Sequence, residues 1–430
     1  MKNKVQVIAI ITSIVVVIAS LIVFSGTSEP QLKGFGGIKE AVIWGVDDPL
    51  IFESAIQDYQ SQFKTKVTYI EKDPHTFDRD LLEAIAGGIS PQAIITSTDW
   101  IAKNHDKIAI PKESIVSAED VEAAFIDLAA AALIERKKKE GKPDKKTLWG
   151  LPLWVDPLVL FWNKDLFNES LVAVPPATWD DFVHTSNKIK KLGAGGAIIQ
   201  SGAALGRARN IPLHKDILAL LLLQQGTTLE DAFFENSTEQ SQLSLSVLGF
   251  YTNYGKPGTA AYTWHGMLPE PRELFIEGKL GMMLDHYSYK KELEDKNPHR
   301  AFDVSPAPQT RGGKLAYVAD MRAITVPKGA AEHDAAWTLA RFLVSQAELK
   351  KIISNGVMVA ARRDLIAADS LPEILKKSIL NAKSSFEKYP KENTPIIKEM
   401  IENIADGQLF PSEAIAQARS HYRRLINEKK

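Results

Sequence analysis

Ala41-Val-Ile-Trp-Gly-Val46, followed by Asp47-Asp48-Pro49, is the stretch on which the fold reading turns. The first six residues form a short, partly β-branched apolar run, which predicts a buried strand. Asp48 then offers an acceptor side chain, and Pro49 sits where a first helical turn needs no N–H donor. From Leu50 to Phe63 the apolar residues Ile51, Phe52, Ala55, Ile56, Tyr59 and Phe63 recur at helical spacing. Working outward, 66–71 reads as a second strand, 77–86 as a helix stopped by Gly87-Gly88, and 93–96 as a third strand. Strand, helix, strand, helix, strand is the pattern of a parallel sheet with helices on its faces, an α/β fold. Ligands of such sheets meet the loops beyond the carboxyl ends of the strands, where Trp44, Asp47, Asp48, Asp99 and Trp100 all fall.

Further along, 118–140 reads as one long amphipathic helix running into a basic loop, 136–146, whose interspersed acids mark it as a solvated surface. A second unit begins at Leu148. It contains a strand at 158–162, a helix at 179–192 capped by Thr178, a strand at 197–200 and a buried helix at 212–225. A further strand at 280–284 runs into Asp285-His286-Tyr287. From Ala330 onward the chain reads as almost entirely helical.

A length of 430 residues exceeds what one hydrophobic core usually serves, so two lobes are expected. With 45% hydrophobic and 24% charged residues the chain is a packed globular protein. The absence of cysteine excludes disulfides, Cys-ligated zinc, iron–sulfur clusters and a cysteine nucleophile. A formal net charge of −1 gives no electrostatic case for nucleic acid. At the N-terminus Lys2 and Lys4 precede the apolar run Val5–Phe24, which at helical rise covers about 30 Å, one bilayer core. Positive flank first and apolar run second predicts a membrane helix that anchors the protein with its N-terminus inside; a cleaved signal ending near Ser25 is the second choice. Residues 27–37 read as a tether.

No catalytic or cofactor motif appears. There is no G-x-S-x-G elbow and no H-E-x-x-H. The glycines around Gly249–Lys256 have the wrong spacing for a phosphate loop, and Gly193-Ala-Gly-Gly196 is not a dinucleotide fingerprint. None of the nine histidines pairs with another at helical spacing, so no metal site is expected. What remains is aromatic. Trp44, Trp100, Trp154 and Trp264 each have an Asp or His within three residues, whereas Trp149, Trp162, Trp179 and Trp337 read as core. A ring beside a carboxylate or imidazole suits a carbohydrate, whose C–H face takes the ring while charged planar groups take its hydroxyls. The same pairing suits a polyamine.

Several segments in order resemble the solute-binding proteins of bacterial ABC importers, in the maltose-binding-like group. They are Val42-Ile-Trp-Gly45 with Tyr59-Gln-Ser-Gln-Phe63, Leu82–Pro91 followed by Ala93-Ile-Ile95, Gly150–Phe167, Pro176–Phe182 and Phe275–Met283. The resemblance implies a two-lobed clamp that captures a sugar between its lobes and delivers it to a permease, with ATP consumed by separate subunits. It implies no enzymatic activity and no cofactor. It implies a first lobe at 38–147 plus 300–328 and a second at 148–299 plus 329–430, after an anchor at 1–26. Carried over by position, the ligand residues would be Trp44, Asp47, Asp48, Asp99, Trp100, Trp154, Asp156, Trp264, His286, Tyr287 and Arg322. The lipid-bearing cysteine of many relatives is missing, as is their frequent proline near 355–362. A polyamine binder, a sensor-associated binder and a secreted or surface glycan hydrolase, which would need two carboxyls facing across a bond, remain the alternatives.

Overall fold

The structure, a computed structural model, describes residues 39–427 apart from 140–141, 235–237, 300, 355–357 and 386–389. The apolar run Val5–Phe24 and the tether 27–37 lie outside the described residues. Among the described residues no helix is long and apolar enough to cross a membrane. The chain forms two compact units, one up to Asp156 plus Asp320–Leu371, the other Pro157–Ala319 plus Pro372–Lys430.

The first unit opens with β1 (Glu40–Gly45), whose buried residues Ala41 and Ile43 alternate with half-exposed neighbours. Asp48 accepts the Leu50 N–H at 2.9 Å, and a single 3-10 turn leads into α1 (Glu53–Phe63). This helix buries Ala55, Ile56 and Tyr59. It is followed by β2 (Lys66–Glu71), α2 (Phe77–Ala86), β3 (Ala93–Ser97) and α3 (Thr98–Lys103). β1 pairs in parallel with both β2 and β3, as the pattern predicts.

The long helix expected over 118–140 is instead two short ones, α4 (Ala118–Ala124) and α5 (Asp127–Leu133), followed by a hairpin of β4 (Ile134–Lys139) and β5 (Lys142–Leu148). Phe125 and Ile126 break it: both are fully buried with extended backbones, and Phe125 bridges to Arg362. Burial of two large side chains there outweighs the helical pattern of the sequence.

Within β6 (Leu151–Asn163) the chain passes to the second unit. There α6 (Lys164–Glu169) and α7 (Trp179–Ile189, capped by Thr178) lead to β7 (Lys191–Leu192) and β8 (Ile198–Ala203). Next come α8 (His214–Gln225), α9 (Leu229–Phe233), α10 (Thr238–Asn253) and α11 (Pro271–Ile276). β9 (Leu280–His286), α12 (Tyr289–Lys296) and β10 (Phe302–Pro306) follow. β6 pairs antiparallel with β9 and with β10, and β8 runs parallel to β9, giving a mixed sheet. Within β11 (Tyr317–Thr325) the chain re-enters the first unit, where Arg322–Thr325 pairs antiparallel with β3.

The first unit then takes α13 (His333–Leu343), α14 (Gln346–Ser354), β12 (Val359–Ala360) and α15 (Arg363–Ala368). The second receives α16 (Glu373–Leu380), β13 (Ala382–Lys383), α17 (Pro390–Ala405) and α18 (Pro411–Asn427). These boundaries differ from those read off the sequence. Residues 302–306 stay with the second unit because β10 completes the β6 ladder. Residues 333–354 go to the first because Phe342 packs edge-on against Tyr59 and Phe63 of α1, at 5.2 and 5.8 Å, and Lys351 pairs with Asp58.

In the second unit a buried ionic cluster ties the loop after β8 to α17. Arg207 donates to Glu402 and to the Gly255 carbonyl, both at 3.1 Å, and pairs with Asp406, while Glu402 accepts the Ala208 and Arg209 N–H groups at 2.8 and 2.9 Å. Gly206, with φ +95°, brings the loop there; a Cβ on it would lie 2.1 Å from the Gly255 nitrogen. Both the left-handed backbone and the contact demand glycine. Gly206→Ala is therefore expected to lower unfolding free energy by about 2–4 kcal/mol in urea titrations. A loss below about 0.5 kcal/mol would contradict this packing.

Candidate functional site

Parallel pairing brings the carboxyl ends of β1 and β3 to one edge of the first unit's sheet, and the antiparallel partner β11 delivers Arg322 opposite Ser97 at that edge. Trp44, second to last in β1, pairs with Ile70 and Ile94. Trp44 and Trp100 pack against the same core group, Phe77, Leu81 and Ile94, and both remain half-buried. Ser97 holds Trp100 in place by accepting its N–H at 3.2 Å, and the Asn104 side chain donates to the Trp100 carbonyl at 2.8 Å. Asp99 lies in the same first turn of α3.

Asp47 follows directly. Its N–H donates to the Tyr69 hydroxyl at 3.3 Å, and its Oδ2 is buried without a hydrogen-bond partner among the described residues. Burial pushes the Asp47 carboxyl above its ordinary range, with Arg322 opposing and Glu71 adding to the rise. Tyr69 reaches this point because Gly45 has no side chain: a Cβ there would fall 2.1 Å from the Tyr69 hydroxyl. Burial, reinforced by the Asp47 charge, pushes the phenol up as well. The Tyr69 ring stacks on Phe52 at 4.7 Å, and Phe52 tilts against Trp154 at 6.0 Å. Over the Trp44 ring lies the Lys72 ammonium, 3.7 Å from its centroid.

Trp44, Asp47, Trp100 and Arg322 are thus gathered by one sheet edge, with Asp99 beside Trp100. Asp48 is spent on capping the turn after β1. Trp154 is 3% exposed, and Asp156 is half-buried where β6 leaves this unit. Sequence reasoning missed Tyr69 and Lys72. Alternation along β2 could have placed Tyr69 on the face of Val67, but nothing local puts either residue against β1.

In the second unit His286 ends β9 and Tyr287 follows it, both half-buried. The His286 N–H donates to Asp285 at 2.8 Å and the Tyr287 N–H to the Pro157 carbonyl at 2.9 Å. Asp285, buried, is gripped by Arg272 through two bonds of 2.7 and 2.8 Å, and that guanidinium lies 4.1 Å over the Tyr289 ring. Trp264 is different from the sequence expectation: it is fully buried, its Nε1 donating to Asn210 at 3.1 Å, which makes it a core residue with no exposed face. A cavity of about 300 Å³ in the first unit, bordered by Ile110, Glu113, Glu119 and Lys145, contains none of the residues expected at the site. Among the described residues no cluster of three or more His, Asp or Glu side chains is placed to hold a metal ion.

Residues 54–370, well over half the chain, match the family described as bacterial extracellular solute-binding protein. A curated binding protein of Brucella abortus (strain 2308) is 23% identical over 278 residues, 63% of this chain and 62% of that protein, so the match spans less than two thirds of the relative's length. Among solved structures, a cyclo/maltodextrin-binding protein complexed with maltotetraose aligns at TM-score 0.71, with 15% identity over 92% of this chain and 99% of that one. An ABC transporter solute-binding protein of Thermotoga lettingae TMO, bound with α-D-tagatose, aligns at 0.66, with 19% identity over 89% and 98%. These likenesses establish the two-lobed α/β fold.

The Asp47 environment makes a pH-dependent prediction. Unfolded, this carboxyl titrates near 3.8; folded, it titrates higher. The folded state therefore binds the proton more tightly, so stability is greatest below the unfolded value and falls as pH rises through the folded one. Asp47→Asn removes that slope. The variant is expected to exceed wild type by about 0.5–2 kcal/mol at neutral pH, with the gap narrowing as pH approaches about 3. Urea unfolding across that range checks it; a gap independent of pH would remove burial as the dominant influence on Asp47.

Proposed function

The chain belongs to the bacterial extracellular solute-binding proteins, and from that premise we propose that it captures a sugar or oligosaccharide outside the cytoplasm and delivers it to the transmembrane permease of an ABC importer. The observation that carries the reading is the edge of the first unit where Trp44 and Trp100 stand beside Asp47 and Arg322. Rings there can cover the C–H face of a sugar, and the buried, unpartnered Asp47 Oδ2 can accept one of its hydroxyls. Within the second unit, His286 and Tyr287, beside the Asp285–Arg272 pair, are the residues proposed to contact ligand. Maltotetraose and tagatose in the solved relatives support a saccharide as the ligand class.

A polyamine fits less well. Its binding would call for carboxylates without a cationic partner, whereas Lys72 covers Trp44 and Arg322 acts on Asp47. Binding without catalysis is proposed, in keeping with the binding proteins of the family. For the N-terminal run Val5–Phe24 we propose an uncleaved anchor, which would raise the effective concentration of the binder near its permease.

Two outcomes test these readings. In a thermal-shift screen of maltotetraose, tagatose and spermidine, a saccharide is expected to stabilise the protein by about 2.7 kcal/mol at a hundredfold excess over Kd. Trp44→Ala should abolish the shift. Stabilisation by spermidine alone would overturn the carbohydrate reading. Trp154 is a poorer probe, because truncating a ring packed against Phe52 costs the fold about 3–5 kcal/mol by itself. For the anchor, full-length protein expressed in a bacterium should require detergent for extraction; protein free in the medium with a new terminus near Gly26 would show a cleaved signal instead.

A further inference from the structure

Lys72 adjoins Trp44 on the candidate face, and the proposed function gives it no part in holding a ligand. Its ammonium lies 3.7 Å from the Trp44 ring centroid, inside the range of a cation–π contact. The placement is fixed by the backbone. Lys72 is the residue after β2, and its N–H donates to the Gly45 carbonyl at 2.8 Å, extending the β1–β2 ladder past the Gly45–Glu71 pair. The lysine is thus pinned beside the strand that carries Trp44. The ring itself packs against Phe77, Leu81 and Ile94, and in the proposal below the face under the ammonium is the ligand side. Asp80, a carboxylate that feels the Lys72 charge, is already engaged by Arg79 and by the Thr76 hydroxyl, each at 3.1 Å. It therefore competes weakly with the indole for the ammonium.

A sugar that stacks on Trp44 must move this ammonium aside. A neutral sugar then loses part of its stacking energy to the broken cation–π contact. An amino sugar loses the same and meets the displaced ammonium as a like charge. An acidic sugar offers the ammonium a new partner. We propose that Lys72 is a specificity-determining residue: it occupies the ligand side of Trp44 in the free protein and ranks saccharides by charge, acidic above neutral and neutral above amino sugars. The inference rests on the reading of Trp44 as part of the ligand face.

The test is calorimetric titration of the full chain, wild type and Lys72→Met, which keeps the aliphatic stem and removes the charge. The probes are maltotetraose, a galacturonic acid trimer and a glucosamine trimer. Comparing each probe between the two proteins cancels differences in sugar stereochemistry. Lys72→Met is expected to bind maltotetraose about 2- to 30-fold more tightly, the equivalent of a lost cation–π competitor. It should gain still more for the glucosamine trimer and lose affinity for the galacturonic acid trimer. A uniform change for all three probes, or weaker binding of maltotetraose, overturns the role of Lys72 and leaves the carbohydrate reading standing. If none of the three binds either protein, the charge ranking is overturned, and the carbohydrate reading is judged separately by the thermal-shift screen. A ring-current shift of the Lys72 ε-methylene protons that disappears in Trp44→Ala is expected in the free protein; its absence in wild type also overturns the proposal.

Discussion

Parallel pairing of β1 with both β2 and β3 is the constraint from which the candidate face follows. Parallel strands end on the same edge, so the loops after Gly45, Glu71 and Ser97 meet without any further device. Register does the finer work. Trp44 opposite Ile70 and Ile94 puts Asp47 within reach of the Tyr69 hydroxyl and Lys72 within reach of the indole. A one-residue slip in β2 would turn Tyr69 and Lys72 away together. Gly45 permits the arrangement, because any side chain at that position would occupy the space of the Tyr69 hydroxyl.

The two units brace their candidate edges by different means. In the first, Asp47 has a buried oxygen with no hydrogen-bond partner among the described residues, a configuration that costs stability. In the second, the buried carboxylate Asp285 is matched by the two-pronged grip of Arg272, and its remaining capacity steadies the His286 backbone. Arg207 with Glu402 and Asp406 fixes a further loop in the same way. Such pairs lose their grip badly if one member is removed, and they define geometry more than they add net stability.

What could be read from the sequence was what short-range pattern encodes. The alternation of strand and helix through Ser97, the cap at Thr178 and the buried helix around Leu218–Leu222 all follow from local periodicity and capping chemistry. The family was legible because many weak segments occur in one order. The failures are non-local. Phe125 and Ile126 interrupt a helical pattern because tertiary burial rewards an extended backbone there. Trp264, next to a histidine and so superficially site-like, is sealed by the core and by Asn210, 54 residues away in sequence. Helix α13 joins the first unit through ring contacts of Phe342 with Tyr59 and Phe63, and α14 through the pairing of Lys351 with Asp58, which no pattern within residues 333–354 announces.

The same logic explains why Lys72 escaped notice although Trp44 did not. A tryptophan near a strand end is conspicuous by type; a lysine after a strand reads as solvated surface. Once the two are brought together by the ladder, their energetics cannot be separated. A half-exposed indole carries apolar area at an edge that must also face water. The lysine stem shields that area and the ammonium satisfies the negative face of the ring, so the ring is already favourably covered by the protein itself. In the proposed role of Trp44, ligand affinity would be the difference between two occupied states of one ring, not the full worth of stacking on a bare one. In a protein of this kind, selectivity can therefore be set by the residue that the ligand displaces as much as by those that it touches.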